Sequence, residues 1–492
     1  MSFENYSSLF SNLTAIQDLP IRKTKEISGS KFSIGFETLD RKMFEDEKCY
    51  DHLVDLGVKR ARIQTGWSRS EQEKGVIDFE WLDRIVDKLL SIGIQPWLNV
   101  GYGNINHVPQ TPTPDAVAWP PLWDKGATEA WSNFVKKVAT HFKGRVEYFE
   151  VWNEPDLEVF WQPKKPAPED YTQLVINTST AIKSVYPEAK IVGGATARGI
   201  KPAGNIFLAK CIKLGMLDHI DVYSYHFYGM SIENNGSNLP FLTSLLSKGK
   251  KHIPIWQGES GCPSVFSETQ ALSGIKHTEE SQAKWLLRNM INDLSKDIDM
   301  VSYFHMSDFK FYYRDGFIDV PNYFGILRLK DYSRKPSFFA LQSLCSLFDL
   351  ESTTFHEGQL TVRNLIYDDD TVSNSNETNK SFVYHSFIKN DVPIYSYYYN
   401  SIVTESRKTS FGDIKIWVTD GRLPKNPILI DPVEQKVYDL KSKIMPIKLK
   451  ADDGAGHWDN PEYVWDSYVE FEGIPLVDYP LFITDQSYFD QK

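Results

Sequence analysis

Cysteine is scarce in this chain of 492 residues: Cys49, Cys211, Cys262 and Cys345 stand far apart, with no C-x-x-C spacing. That argues against a disulfide framework and a Cys-built zinc site. Basic residues are outnumbered, 54 Lys and Arg against 65 Asp and Glu, for a formal charge of −11, so a nucleic-acid partner is not expected. Long apolar runs are missing too; none approaches the ~20 residues that cross a bilayer. Met1-Ser2-Phe3-Glu4-Asn5-Tyr6 has neither the basic start nor the apolar centre of a secretion signal. A soluble cytoplasmic protein without a membrane partner is expected. No G-x-G-x-x-G or G-x-x-x-x-G-K-S/T follows any predicted strand, so the phosphate-cradling turn common in nucleotide-binding sheets is absent. No cofactor and no metal are expected.

Aromatic residues, by contrast, are abundant at 14%, with 13 Trp and 25 Tyr. Most should be core, but sugar rings also stack on such side chains, because axial C–H groups meet the negative face of the π-cloud. Strand and helix signals alternate along most of the chain. Strands are predicted at 31–37, 58–64, 94–100, 146–152, 190–194, 220–225, 253–257 and 300–304. Helices are predicted at 45–56, 79–92, 128–142, 169–186, 203–214, 239–247, 279–296 and 336–348. In the second of these, Leu82, Ile85, Val86, Leu89 and Leu90 share one face and Gly93 marks the stop, as Gly57 does for the first. This alternation specifies an α/β fold with parallel strands and right-handed crossovers. Eight units over about 320 residues fit a (β/α)8 TIM barrel better than an open doubly wound sheet.

The barrel is expected over 29–348, preceded by an arm, 1–28, that packs on the core. Leu9, Phe10, Leu13 and Ile16 follow a loosely helical spacing there. Past Asp349 the helical period gives way to short β-rich runs at 359–365, 381–387, 393–399, 414–418, 427–430, 436–440, 447–449, 468–472 and 481–483. Turn clusters such as Asp368-Asp369-Asp370, Ser373-Asn374-Ser375-Asn376 and Asp452-Asp453-Gly454 separate them. An antiparallel β-sandwich over 349–492 follows.

Two strands end in a carboxylate. Tyr148-Phe149-Glu150-Val151-Trp152-Asn153-Glu154-Pro155 stops at a proline that cannot continue a sheet ladder, leaving Glu154 at the strand mouth. The apolar bulk of Trp152 and Pro155 disfavours its charged form, as a general acid requires. About a hundred residues later Ile253-Pro254-Ile255-Trp256-Gln257-Gly258-Glu259 repeats the design. A strand-end glutamate is commonly a solvated carboxylate; here the two follow the fourth and seventh strands of a barrel whose strand ends converge on one face.

The run Phe149-Glu150-Val151-Trp152-Asn153-Glu154-Pro155-Asp156-Leu157 resembles the acid/base strand of the retaining glycoside hydrolases of clan A, especially family 39. Gly57 to Arg69 with Lys74 to Phe79, and Phe324-Gly325-Ile326-Leu327 with Arg334 to Leu341, are similar to the same group, so the likeness spans about 32–348. It implies Glu154 as acid/base and Glu259 as nucleophile. It also implies that Asn153 bonds the sugar 2-hydroxyl and that Arg62 holds Glu259 ionised. In Ser224-Tyr225-His226-Phe227-Tyr228 it places Tyr228 against the nucleophile and His226 near the reacting centre. The chain departs from the clan on its eighth strand, where Phe304 or His305 takes the place of the usual tryptophan, and around the nucleophile, which sits in Gln-Gly-Glu-Ser-Gly-Cys.

Other strand-end groups are candidates of a plainer kind. Glu150 lies a layer deeper and suits a buried ion pair. Glu37 and Asp40, Asn104 and His107, and Asp308 could meet substrate or only neighbouring loops; among the tryptophans near those loops are Trp67, Trp97, Trp119, Trp123 and Trp161. The expected function is that of a retaining, exo-acting β-glycosidase on short oligosaccharides or glycosides, its two carboxylates about 5 to 5.5 Å apart. A metal-dependent sugar isomerase, which EDTA would silence, and a carbohydrate-binding barrel without catalysis are the alternatives. The sugar and the oligomeric state are left open.

Overall fold

A computed structural model of the chain describes residues 10–112, 114–199, 201–235, 237–296, 298–310, 321–367, 372–373, 381–404, 410–445 and 467–490. The strand expected at 447–449 and most of the three turn clusters at 368–370, 373–376 and 452–454 lie outside the described residues. Two compact units divide the chain: one of Met1–Ile21, Ala283–Asp297 and Phe339–Lys492, the other of Arg22–Gln282 and Ile298–Phe338.

In chain order, the strands up to residue 303 are β1 (Thr14–Asp18), β2 (Phe32–Gly35), β3 (Arg60–Gln64), β4 (Gln95–Val100), β5 (Tyr148–Val151), β6 (Lys190–Thr196), β7 (Val222–Phe227), β8 (Ile255–Ser260) and β9 (Met300–Tyr303). Strands β2 to β9 pair in parallel, each with the next, and β9 closes on β2. The helices are α1 (Tyr50–Leu56), a short α2 (Trp67–Ser70), α3 (Glu80–Ser91), α4 (Lys125–His141), α5 (Pro168–Val185), α6 (Pro202–Lys213), α7 (Leu239–Leu246), α8 (Glu279–Leu294) and α9 (Pro336–Leu347). The (β/α)8 barrel read from the alternation is therefore present. Local chemistry explains its edges. In α3 the apolar face Leu82, Ile85, Val86 and Leu89 is buried, and α1 stops at Gly57, whose φ of 92° a side chain would resist.

One buried cluster draws Trp97, Val192, Val222, Trp256 and Met300 from five strands, which fills the barrel interior with apolar bulk. Polar side chains gather beside it: the Arg62 guanidinium, from β3, lies 5.5 Å from the Trp97 ring centre.

The other unit is antiparallel. Its remaining strands are β10 (Thr353–Thr354), β11 (Gln359–Tyr367), β12 (Val372–Ser373), β13 (Phe382–Lys389), β14 (Val392–Tyr399), β15 (Ser410–Val418), β16 (Pro427–Asp431), β17 (Lys436–Asp439), β18 (Ser467–Leu476) and β19 (Leu481–Asp485). They form a seven-stranded sheet in the order β1-β17-β16-β19-β14-β13-β10 and a four-stranded sheet, β12-β11-β15-β18. Residues 14–18 are thus a strand, not a continuation of the helical spacing read upstream. Thr14 pairs with Asp439 and Asp18 with Lys436, and every residue of β1 is exposed, so pairing along the sheet edge rather than an apolar face selects this conformation.

Candidate active site

Strand β5 hands its last residues to the barrel mouth through an unusual backbone. Trp152 and Glu154 have φ of 67° and 46°, left-handed values that cost a non-glycine residue about 1–3 kcal/mol each. Neighbours hold the turn in place. The Trp152 N–H donates to the Val100 carbonyl (3.1 Å) and its indole N–H to the Phe160 carbonyl (3.0 Å). The Glu154 N–H donates to the Ala195 carbonyl at 2.9 Å. Trp152 is fully buried, with the rings of Tyr102 and Trp161 5.4 and 6.1 Å from its own.

Glu259 comes from the other side, within β8, which runs to Ser260 rather than stopping at Gln257. The register slips between Gln257 and Ser260, and Gly258 makes the slip possible: a Cβ there would stand 2.2 Å from Ser224 Oγ and 3.3 Å from Glu150 Oε1.

Arg62, on β3 and wholly buried, joins these strands. Its guanidinium donates to Glu150 Oε2 (2.8 Å from Nε, 2.5 Å from Nη2), Glu37 Oε1 (3.1 Å), Asn153 Oδ1 (3.0 Å) and Glu259 Oε2 (2.5 Å). Asn99 adds a bond to Glu150 Oε2 at 2.9 Å. The Tyr228 hydroxyl donates to the other oxygen of Glu259 at 2.6 Å, so both of its oxygens accept strong donors.

Glu154 has a different environment. Its Oε1 shares a hydrogen with His226 Nδ1 at 3.0 Å, and the residue is 7% exposed. Burial, then the negative charge of Asp156, push its carboxyl up to about 8, against the pull of Arg62. Burial also lowers His226, which favours its neutral ring. Glu37 is likewise raised to about 8, chiefly by burial. The two candidate carboxyl groups thus differ in their partners: Glu259 accepts from Arg62 and Tyr228, while Glu154 faces the His226 ring.

One oxygen from each of Glu154 and Glu259 and one nitrogen of His226 lie within 4.8 Å of one another. Such a trio has the composition of a metal site, but Arg62 already sits 2.5 Å from Glu259 and His226 Nδ1 is engaged with Glu154. The buried guanidinium already supplies the counter-charge to Glu259 and would repel a cation beside it, so the donor set does not fit a metal ion.

Two adjoining cavities open over the pair. The larger, about 350 Å³, is lined by Glu154, Glu259, Tyr228, Phe160 and Phe304 among others. The smaller, about 60 Å³, is lined by Glu37, Thr38, Gln64, Asn153, Glu259 and Phe304 among others. Phe304, not His305, therefore faces both. His305 is buried and spent on the backbone: burial lowers it to about 4, and Nε2 lies 3.2 Å from the Glu37 carbonyl while Nδ1 is 3.3 Å from the Ser307 N–H.

Three expected substrate contacts lie elsewhere. Trp67, Asn104 and His107 close on Glu71: the Trp67 indole donates to Oε2 at 2.6 Å, His107 Nε2 is 2.9 Å from Oε1, and Asn104 Nδ2 donates to the Glu71 carbonyl at 2.9 Å. His107 also stacks on Trp67 at 5.0 Å. These bonds turn them towards Glu71, and they are not among the residues lining either cavity. Asp308 is in a buried ion pair with Lys335 at 2.7 Å, and Asp40 lies 3.7 Å from Arg41. Conversely, Gln64 and Tyr102 line the smaller cavity unforeseen. Gln64 carried a signal, since it ends β3 two residues beyond Arg62 on the same face.

Residues 47–351 match the family described as Glycosyl hydrolases family 39. The chain is 29% identical over 187 residues to a beta-xylosidase of Geobacillus stearothermophilus; the match covers 35% of this chain and 34% of the relative, so it spans about a third of that protein. Among solved structures, a family 39 glycoside hydrolase from the gut symbiont Bacteroides cellulosilyticus WH2 superposes with a TM-score of 0.62 at 19% identity, over 92% of this chain and 80% of that one. A monomeric beta-xylosidase from Caulobacter crescentus CB15 gives a TM-score of 0.58 at 18% identity, over 96% and 99%. At such identities these structures share the fold.

Proposed function

Because the chain belongs to Glycosyl hydrolases family 39, we propose that it is an exo-acting, retaining β-glycosidase that removes single xylose units from short oligosaccharides or small β-xylosides. The observation that carries this reading is the spacing of Glu154 and Glu259, whose oxygens approach within 4.8 Å. Retention needs carboxyl groups about 5 to 5.5 Å apart, whereas inversion needs about 6.5 to 9.5 Å to admit a water.

In the first step Glu259 attacks the anomeric carbon as Glu154 gives its proton to the departing oxygen. The bond to the leaving group breaks while an ester to Glu259 forms. Water then gives a proton to Glu154 and its oxygen to the sugar, releasing Glu259 as a carboxylate. Arg62 and Tyr228 orient Glu259 through the bonds described above. Asn153, fixed by Arg62 and lining the smaller cavity, is suited to the sugar 2-hydroxyl, where a hydrogen bond strengthens as positive charge develops. Two residues that line that cavity each have a buried oxygen without a hydrogen-bond partner, Glu37 Oε2 and Thr38 Oγ1. Sugar hydroxyls would satisfy them. Its small volume favours a single ring without an exocyclic carbon, as does the name of the Geobacillus relative, and supports exo action.

A panel of nitrophenyl glycosides, both anomers and both ring sizes, tests the proposal, with proton NMR of the first-formed sugar. The expected outcome is turnover of the β-xyloside with the β-anomer appearing first. The α-anomer appearing first would overturn the mechanism, and a better hexoside would overturn the substrate.

A further inference from the structure

The larger cavity receives whatever leaves the sugar, since Glu154 lines it. Most of its polar lining is already committed. The Gln270 side chain donates to the Pro321 carbonyl at 2.7 Å, and Asn322 Oδ1 accepts the Phe324 N–H at 3.1 Å. Phe160, Phe304 and Phe324 supply apolar surface. Two lining groups stand apart from these: Arg198 and Lys201, both exposed, from the segment between β6 and α6. Neither is in an ion pair among the described residues. Asp156, whose carboxylate meets this segment, is buried and turned to the backbone, accepting the N–H groups of Ala197 and Arg198 at 2.8 and 2.9 Å. It tethers the segment without neutralising the guanidinium. The acids among the lining residues are Glu154 and Glu259, both part of the buried constellation.

On a chain with a formal charge of −11, two cations in no ion pair among the described residues, set over an apolar wall, are a specific feature. A neutral sugar hydroxyl in this place accepts hydrogen bonds from them but leaves both charges uncompensated. A carboxylate would meet two charges, one with a planar fork shaped for it.

We propose that the leaving group of the physiological substrate carries a carboxylate, held by Arg198 and Lys201 while its ring lies against the phenylalanines. Hydroxybenzoate-type aglycones and uronic acids share this chemistry. The inference rests on the glycosidase reading above and adds the identity of the group released.

The test compares kcat/KM for 4-carboxyphenyl and 4-carbamoylphenyl glycosides of the preferred sugar, nearly equal in size and differing in charge. A second pair, the same sugar linked to glucuronic acid or to glucose, separates sugar acids from aromatic ones. The expected result is a preference of about fivefold to tenfold for the acid in at least one pair, as two partly exposed contacts allow, weakening with added salt. The ratio should fall to about one in Arg198→Ala/Lys201→Ala and below one in Arg198→Glu/Lys201→Glu; taking the ratio within each variant cancels any general loss of activity. Equal rates for acid and neutral members in both pairs, with the neutral nitrophenyl glycoside still cleaved, would overturn this inference alone. Absence of any glycoside cleavage would remove the reading beneath it and this inference with it.

Discussion

At the residue scale, the proposed function rests on the contrast between Glu154 and Glu259. Glu259→Ala should reduce turnover by about 10⁴ or more, because the variant lacks the proposed nucleophile. Glu154→Ala should lose about 10² to 10⁴ and recover in part with azide, yielding a glycosyl azide of retained configuration. Since Glu154 titrates near 8, kcat/KM should decline as the pH rises through that value. Asp156 is one cause of the elevation, so Asp156→Asn should move this limb to lower pH, by about half a unit to one unit. The same shift has a consequence for stability. A carboxyl raised from 4.5 to about 8 binds more protons folded than unfolded across that window, so stability falls as the pH rises from 4.5 to 8. Glu154→Gln removes this dependence. By differential scanning calorimetry the variant should match the parent near pH 5 and melt about 2 °C or more higher near pH 9.

At the scale of elements, Arg62 joins β2's exit, β5 and β8 by contacting Glu37, Glu150, Asn153 and Glu259 together. Arg62→Met would leave several buried carboxylates without their counter-charge. Urea unfolding should register a loss of about 3 to 5 kcal/mol, with activity lost as well. The elements themselves were largely legible in sequence: α3 was placed within a residue at each end because its apolar period and Gly93 agree. Strand β1 was not, since its partner β17 lies over four hundred residues away and no local window contains it. Strand β8 reached past its expected end because a register slip at Gly258 is a property of neighbours. The site divides the same way. Glu154, Glu259, Asn153, Arg62, His226, Tyr228 and Glu37 meet, and each stands on or just past a barrel strand. Trp67, Asn104 and His107 follow strands too, yet turn towards Glu71; a sequence reports that a polar loop residue exists, not which neighbour satisfies it. Arg198 and Lys201 belong to no motif, and only the cavity reveals them.

At the scale of the whole molecule, the antiparallel unit is assembled from three separate stretches of chain. Within it β1 covers β17, and Lys284, from α8, donates to the buried Asp478 at 3.0 Å. A fragment of residues 349–492 alone lacks both and should show no cooperative thermal transition by circular dichroism; adding 1–21 and 283–297 restores the missing partners only in the intact chain. Intact protein is therefore the material for the measurement that bears most directly on the account, trapping with a 2-deoxy-2-fluoro-β-xyloside carrying a good leaving group. Mass spectrometry should find one fluorosugar per chain, and peptide mapping should place it on Glu259. A label on another residue, or rapid turnover with no labelled intermediate and release of the α-anomer, would contradict the assignment of Glu259 and Glu154 as the reacting pair.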